Sequence, residues 1–249
     1  MQAYRRAQDV TGKTMLSNNL IALIVTFLSA LAWLRINDFA AQRGWISSHL
    51  SRKIIHIGTG PIFVLCWLLF NDSISARYLA AMVPGLITIQ FILVGIGLMK
   101  DEAAVKALSR TGDRREILRG PMFYGIIFVI LTIIYWKDSP IGMVALMLLC
   151  GGDGLADIVG RRFGKRKLPW APAKSWVGSL GMFFGGWILA VGILWIYLLI
   201  GVFTGQIVDY IPALSLIALA ATAVESLPIK DLDNITITLT GLIFGHFLL

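Results

Sequence analysis

The sequence predicts an all-α, polytopic integral membrane helical bundle with about seven to eight transmembrane helices. Three observations predict it. Of the 249 residues, 57% are hydrophobic and 14% are charged, whereas soluble domains carry roughly 25% charged residues. The apolar residues are gathered into runs long enough to cross a hydrocarbon core of roughly 30 Å. Those runs are continuously apolar and do not alternate as barrel strands must, which leaves helices.

Taken in order, the runs lie near 18–36, 54–70, 76–99, 120–136, 139–157, 175–200, 207–224 and 235–249. A short tail, 1–17, precedes the first. The second and fourth are short, and the last holds about fifteen residues before Leu249, so seven crossings plus a half-inserted helix fit as well as eight. No long linker, low-complexity tract or repeat interrupts the chain, and 1–249 reads as a single membrane domain. Cys66 and Cys150 lie inside apolar runs without metal-ligand or disulfide spacing and read as packing residues. Trp45, Trp136 and Trp170 fall near the expected headgroup levels.

Charge is distributed unevenly over the connections. Seventeen of the 22 basic residues fall in the first, third, fifth and seventh: Arg35, Arg43, Arg52, Lys53; Lys100, Lys106, Arg110, Arg114, Arg115, Arg119; Arg161, Arg162, Lys165, Arg166, Lys167, Lys174; and Lys230. The opposite connections hold only Arg77 and Lys137. The positive-inside rule then makes the basic face cytoplasmic, although Arg5, Arg6 and Lys13 in the tail point the other way. A net charge of +8 on residues that border spans suits anionic headgroups and argues against a nucleic-acid partner.

The same face carries the residues that suggest chemistry. The richest stretch is 151–186, GGDGLADIVGRRFGKRKLPWAPAKSWVGSLGMFFGG. If the fifth span continues to Gly160, Asp153, Asp157 and Arg161 share one helical face. Two carboxylates on one face suit magnesium, a hard cation often shared between carboxylates and substrate phosphates. An Asp157–Arg161 ion pair would explain part of this pattern, but not the glycines and cations that follow. Gly160, Gly164 and Gly178 permit close backbone approach, and Lys165, Lys167 and Lys174 supply phosphate-binding charge. Ser175 falls where the sixth helix should begin, with Ser179 in its first turn, and a helix start offers free N–H groups to an anion. Together these read as a nucleoside triphosphate site, and not a P-loop, since no GxxxxGK[ST] is present.

Smaller signals come from the other junctions of this face. In SRKIIHIGTG, Arg52 and Lys53 precede His56 by four and three residues, so all three can line one polar corner. In RREILRGP, Glu116 and Arg119 stand before a Gly-Pro break. In VESLPIKDLDNIT, Glu225 ends the seventh span while Asp233 and Asn234 open the eighth, where such residues also serve as N-caps. His49, His246 and Asp209 have no comparable setting.

Four blocks resemble the polyprenol kinase family, most closely the phytol and farnesol kinases, with dolichol kinases more distant. They are RKIIHIGTG at 52–60, REILRGPMFYG at 115–125, GGDGLADIVGRRFGKRKLPWAPAKSWVGS at 151–179 and VESLPIKDLDNITI at 224–237. The third is the specific one. The resemblance implies magnesium-assisted transfer of a γ-phosphoryl group, typically from CTP with UTP or ATP as other donors, to the hydroxyl of a membrane isoprenoid alcohol. On that reading Asp153, Asp157 and His56 are catalytic. Arg161, Lys165, Lys167, Lys174, Ser175, Gly178, Ser179, Arg52, Lys53 and Arg119 bind the triphosphate, and Asp153, Asp157, Glu225 and Asp233 hold the metal.

Two other functions share parts of this pattern. The third block is also similar to phosphatidate cytidylyltransferases, but SWVGS after Lys174 lacks that family's acidic residue, and the C-terminal block lacks its paired HGG and DR elements. A transporter of an anionic solute would place charges near the middle of its spans, whereas here they cluster at one end.

Overall fold

The computed structural model describes residues 2–109, 111–229 and 232–249, and the side chains of all of these except 2–17, 48 and 107. Arg110 and Lys230 therefore lie outside the described residues, as do the side chains of Arg5, Arg6 and Lys13.

The helices are α1 (Gln2–Gln42), α2 (Ser48–Cys66), α3 (Ile74–Ile96), α4 (Glu102–Leu108), α5 (Gly120–Ile134), α6 (Pro140–Met147), α7 (Gly154–Phe163), α8 (Trp176–Leu199), α9 (Ile207–Glu225) and α10 (Asp233–Leu248). Among the described residues seven segments are long and apolar enough to cross a membrane: Asn18–Gln42, His49–Leu69, Ile74–Ile96, Arg114–Ile134, Pro140–Phe163, Trp176–Leu199 and Ile207–Glu225. α10, with 16 residues, rises about 24 Å at ~1.5 Å per residue and falls short of the core thickness. Local chemistry starts α8 where the sequence places it and starts α2 six residues before the apolar run near 54. Ser47 caps α2 by accepting from Leu50 N (3.2 Å), and Ser175 caps α8 by accepting from Gly178 N (3.1 Å).

The fifth span organises the bundle. Its most apolar window is 78% buried, against 17–39% for the other six, so the remaining helices surround it. It is composite: α6 runs into a π-helical turn, Leu148–Asp153, and then into α7. Such turns loosen the helical hydrogen-bond ladder and free a carbonyl. α8 packs along it through a glycine seam. A Cβ on Gly178 would stand 3.3 Å from Ala156 O, and one on Gly181 3.0 Å from Leu155 O. Lipid is as apolar as leucine, so helix association inside a bilayer relies on close packing of this kind.

Between α7 and α8 the chain forms a small antiparallel hairpin, β1 (Lys167–Leu168) with β2 (Ala171–Ser175). Trp170 at its turn donates through Nε1 to Ser226 O (3.1 Å), which pins the hairpin to the end of α9.

At the opposite end Arg77 pairs with Asp138 (2.6 Å) and Lys137 with Asp72 (2.7 Å). Asn19, 1% exposed, donates to Asn71 Oδ1 (3.0 Å) and Ser73 Oγ (3.1 Å), tying α1 to the α2–α3 connection. Trp136 departs from the sequence expectation. It is 2% exposed and packs on Trp67 with ring centroids 5.2 Å apart, so it belongs to the core and not to an interfacial belt. Cys66 and Cys150 are free and buried, as packing residues should be.

Candidate active site

The site grows from two helical stripes. On α2, His49, Lys53 and His56 recur at intervals of four and three and therefore share a face. On the fifth span, Asp153, Asp157 and Arg161 do the same. The stripes meet. Lys53 Nζ lies 3.1 Å from Asp153 Oδ2 and 3.8 Å from Asp157 Oδ2. His56 Nε2 is 3.3 Å from Asp153 Oδ2 and 3.3 Å from Leu149 O, a carbonyl of the π turn. His49 Nε2 is 3.0 Å from Asp157 Oδ2, and Arg161 Nε donates to Asp157 Oδ1 at 2.7 Å. Behind His56, the Tyr124 ring lies 4.4 Å away by centroid, and its hydroxyl donates to His56 O (2.9 Å).

A second node forms at the hairpin and the α9–α10 junction. Lys174 Nζ, 18% exposed, lies 2.9 Å from Glu225 Oε1 and 3.6 Å from Asp233 Oδ1, and also donates to the Glu225 carbonyl. Leu232, not Asp233, occupies the N-cap of α10, and no side chain caps that helix. Asp233 thus faces a cation, and Asn234 Nδ2 donates to Gly120 O (2.9 Å), bringing the RGP junction against the α10 start.

The nodes are within electrostatic reach of each other. Burial pushes the Asp233 carboxyl above the usual carboxylate range; Lys174 opposes this, Asp153 adds to it as a like charge, and Lys53 again opposes it. Four carboxylates and two lysines thus form one polar corner at the end of the bundle where the basic connections gather.

The other predicted residues divide by exposure. Lys165, Lys167 and Arg119 are exposed on the rim, Arg161 is 61% exposed, and Arg52 is half-buried on α2. Ser175, 3% exposed, uses its oxygen as the α8 cap, and Gly160 and Gly178 face each other across the α7–α8 seam. The close approach these glycines permit in the structure is between two helices. Ser179 Oγ, by contrast, is buried without a hydrogen-bond partner.

Two contributors were not singled out from the sequence. His49 looked unremarkable, yet it precedes His56 by seven residues, the repeat that places both on one stripe. Tyr124 stood inside the second block, and only its packing against α2 reveals it.

Asp157 Oδ2 and Asp233 Oδ1 are buried and meet their cations as ion pairs, without a well-formed hydrogen bond, and hard carboxylate oxygens are the ligands that magnesium prefers. Among the described residues no three such side chains converge closely enough to hold an ion unaided. One or two carboxylates completed by phosphate oxygens and water is the ordinary magnesium arrangement with nucleotides, so the residues fit an ion that arrives with its substrate.

No family model matches the chain, and no solved structure matches it. Curated relatives do. The chain is 41% identical over 229 residues to a probable chloroplastic phytol kinase of Triticum aestivum, covering 91% of this chain and 76% of that protein. It is 40% identical over 236 residues to the chloroplastic farnesol kinase of Arabidopsis thaliana, covering 93% and 76%. It is 34% identical over 248 residues to phytol kinase 1 of the same plant, covering 97% and 82%. With such identity sustained over nearly the whole chain, and with all four sequence blocks converging on one end of the bundle, the protein belongs to the polyprenol kinase family, on its phytol and farnesol kinase side.

Proposed function

We propose that the protein is a lipid kinase that transfers the γ-phosphoryl group of CTP to the hydroxyl of a membrane isoprenoid alcohol of the phytol, geranylgeraniol or farnesol type. The reaction takes place at the basic, cytoplasmic face. The observation that carries the reading is the pair of lysine–carboxylate nodes, Lys53 with Asp153 and Asp157, and Lys174 with Glu225 and Asp233. They combine anion-binding charge with acceptors for a metal and a proton, in a chain whose relatives are named phytol and farnesol kinases.

Phosphoryl transfer asks for positioning and charge neutralisation more than for covalent help. Lys174, with Lys165, Lys167 and Arg161 at the rim and Ser179 in the first turn of α8, binds the triphosphate. Ser175 and Gly178 hold that turn in place. Arg52 and Arg119 border the entrance. Asp153 takes the proton of the prenol hydroxyl, and His56, held between Asp153 and Tyr124, orients it. The prenol oxygen bonds to the γ-phosphorus as the bond from that phosphorus to the β–γ bridging oxygen breaks, releasing CDP. Asp153 and Asp157, with Glu225 and Asp233 nearby, would hold magnesium, which would supply neutralisation of the phosphate charge.

The test is an assay of the purified protein with γ-labelled CTP, UTP and ATP against phytol, geranylgeraniol, farnesol and phosphatidate. Label in a prenyl phosphate, greatest with CTP and lost on chelation of magnesium, is expected. Formation of a CDP-lipid would replace this reading with a cytidylyltransferase. An Asp153→Asn variant retaining activity within about tenfold of wild type would remove Asp153 from the proton-transfer role, since general-base catalysis contributes at least ~100-fold.

A further inference from the structure

The seat of the isoprenoid tail is decided by which apolar recess reaches the polar corner. Two apolar recesses among the described residues bear on it. One, on the outer face between α9 and α10, is lined by Leu216, Leu219, Ala220, Ala223, Phe244 and Phe247 among others. It does not lead to the carboxylates. Ala223 precedes Glu225 by two residues, which places them on nearly opposite sides of α9, and Phe244 is eleven residues along α10 from Asp233, about 16 Å at ~1.5 Å per residue. Its lining is lipid-facing: Leu216 is 52% exposed and Leu219 57%.

The other recess lies between α1, α2, α3 and α5, with Ala30, Trp33, Thr59, Ile62, Phe63 and Phe128 in its wall. Its α2 and α5 walls continue toward the site. His56, Thr59 and Phe63 succeed one another on a single stripe of α2 at intervals of three and four. Across from them Tyr124 and Phe128 are four apart on α5. The rings form a continuous wall: His56 to Tyr124 at 4.4 Å, Tyr124 to Phe128 at 4.6 Å and Phe128 to Phe63 at 5.6 Å by centroid. At the site end, Trp33 Nε1 donates to Ile55 O (3.3 Å), beside His56. The recess holds only about 40 Å³, room for a few waters at ~10–15 Å³ each, so a tail enters by parting its walls. α1 is the wall suited to this, because its window is 17% buried, the lowest of the seven spans.

We propose that the isoprenoid tail enters from the bilayer between α1 and α3 and lies in the α1–α2–α3–α5 cleft, hydroxyl toward His56 and Asp153, so that Ala30 and Ile62 set the accepted chain length. This rests on the prenol kinase reading and extends it from reaction to specificity.

The experiment uses the full chain in lipid nanodiscs, with γ-labelled CTP and a series of geraniol, farnesol and geranylgeraniol. Ala30→Phe fills the cleft and Ile62→Ala widens it; Ala220→Phe fills the α9–α10 recess as a control. The ratio of kcat/KM for geranylgeraniol to that for geraniol is expected to fall roughly tenfold in Ala30→Phe and to rise in Ile62→Ala, in keeping with pocket discrimination of apolar groups. It should stay unchanged in Ala220→Phe. A diazirine-bearing farnesol, photolysed on the wild-type protein, supplies a readout independent of variant folding and should label the 26–33, 59–63 and 83–87 segments. An unchanged ratio in Ala30→Phe with full activity on geraniol, or labelling confined to 216–223 and 244–248, overturns the proposal. A wild-type protein that phosphorylates none of the three alcohols with any nucleotide sinks the kinase reading and this inference with it.

Discussion

Lys53 on α2 and Asp153 on the fifth span, a hundred positions apart in sequence, meet at 3.1 Å. This contact joins the basic RKIIH junction to the GGDGLAD segment, and because Lys53 also lies 3.8 Å from Asp157 it holds two carboxylates of like charge on adjacent turns. At 14% exposure the lysine is screened less than a surface lysine would be.

Lys53→Met is therefore expected to lower kcat by roughly 100-fold or more, the scale seen when one preorganised charge-stabilising group is lost. Lys53→Arg should recover part of the loss, since the charge remains while its shape changes. Steady-state kinetics on monodisperse protein settle it; activity near wild type in the methionine variant would place Lys53 outside the site.

Lys174 is the shared cation of Glu225 and Asp233. Lys174→Met leaves both partly buried carboxylates without it, a change that costs about 3 kcal/mol when a buried pair is broken from one side. Adding Glu225→Gln should restore much of that loss by removing the orphaned charge. Thermal unfolding of the single and double variants measures the coupling, and strictly additive shifts would show that the pair does not interact.

The raised carboxyl of Asp233 gives a pH dependence with a definite sign. A carboxyl whose folded pKa exceeds its unfolded value penalises the native state once pH rises through the folded pKa, and below the unfolded value of ~3.9 the penalty vanishes. Asp233→Asn should accordingly unfold at a higher temperature than wild type at neutral pH, with the gap closing as pH falls toward 4. A gap that widens on acidification would reverse the assignment.

The α7–α8 seam can be probed without touching a charge. In Gly178→Ala the added Cβ would stand 3.1 Å from Ser175 Oγ and 3.3 Å from Ala156 O, so overpacking of about 1–3 kcal/mol is expected. Gly192→Ala, on the same helix with nothing within 4 Å of its Cβ, should be neutral or gain up to about 1 kcal/mol in helix propensity. Melting temperatures compare the two; equal effects would mean that the seam is not tightly packed.

The sequence by itself determined the solvent in which the fold exists and the end at which the ionisable residues collect. Apolar run length is a local property, so the seven long spans were legible, and the final segment stood out as the short one. Helical spacing is local too, and it put Asp153, Asp157 and Arg161 on one face before any partner was known. What only the tertiary structure decided is which faces meet. His49 carried no local sign of importance until α2 was laid against α7, and Tyr124 gained meaning only from its ring on His56. Lys174 reaches Glu225 across 51 residues because a hairpin anchored by Trp170 turns it inward. The glycines near 160 and 178 are ambiguous in sequence, since a missing Cβ admits a ligand or a neighbouring helix equally well; here the neighbour is a helix. Pairing of faces depends on shape and charge summed over distant segments, and one-dimensional periodicity does not contain that sum.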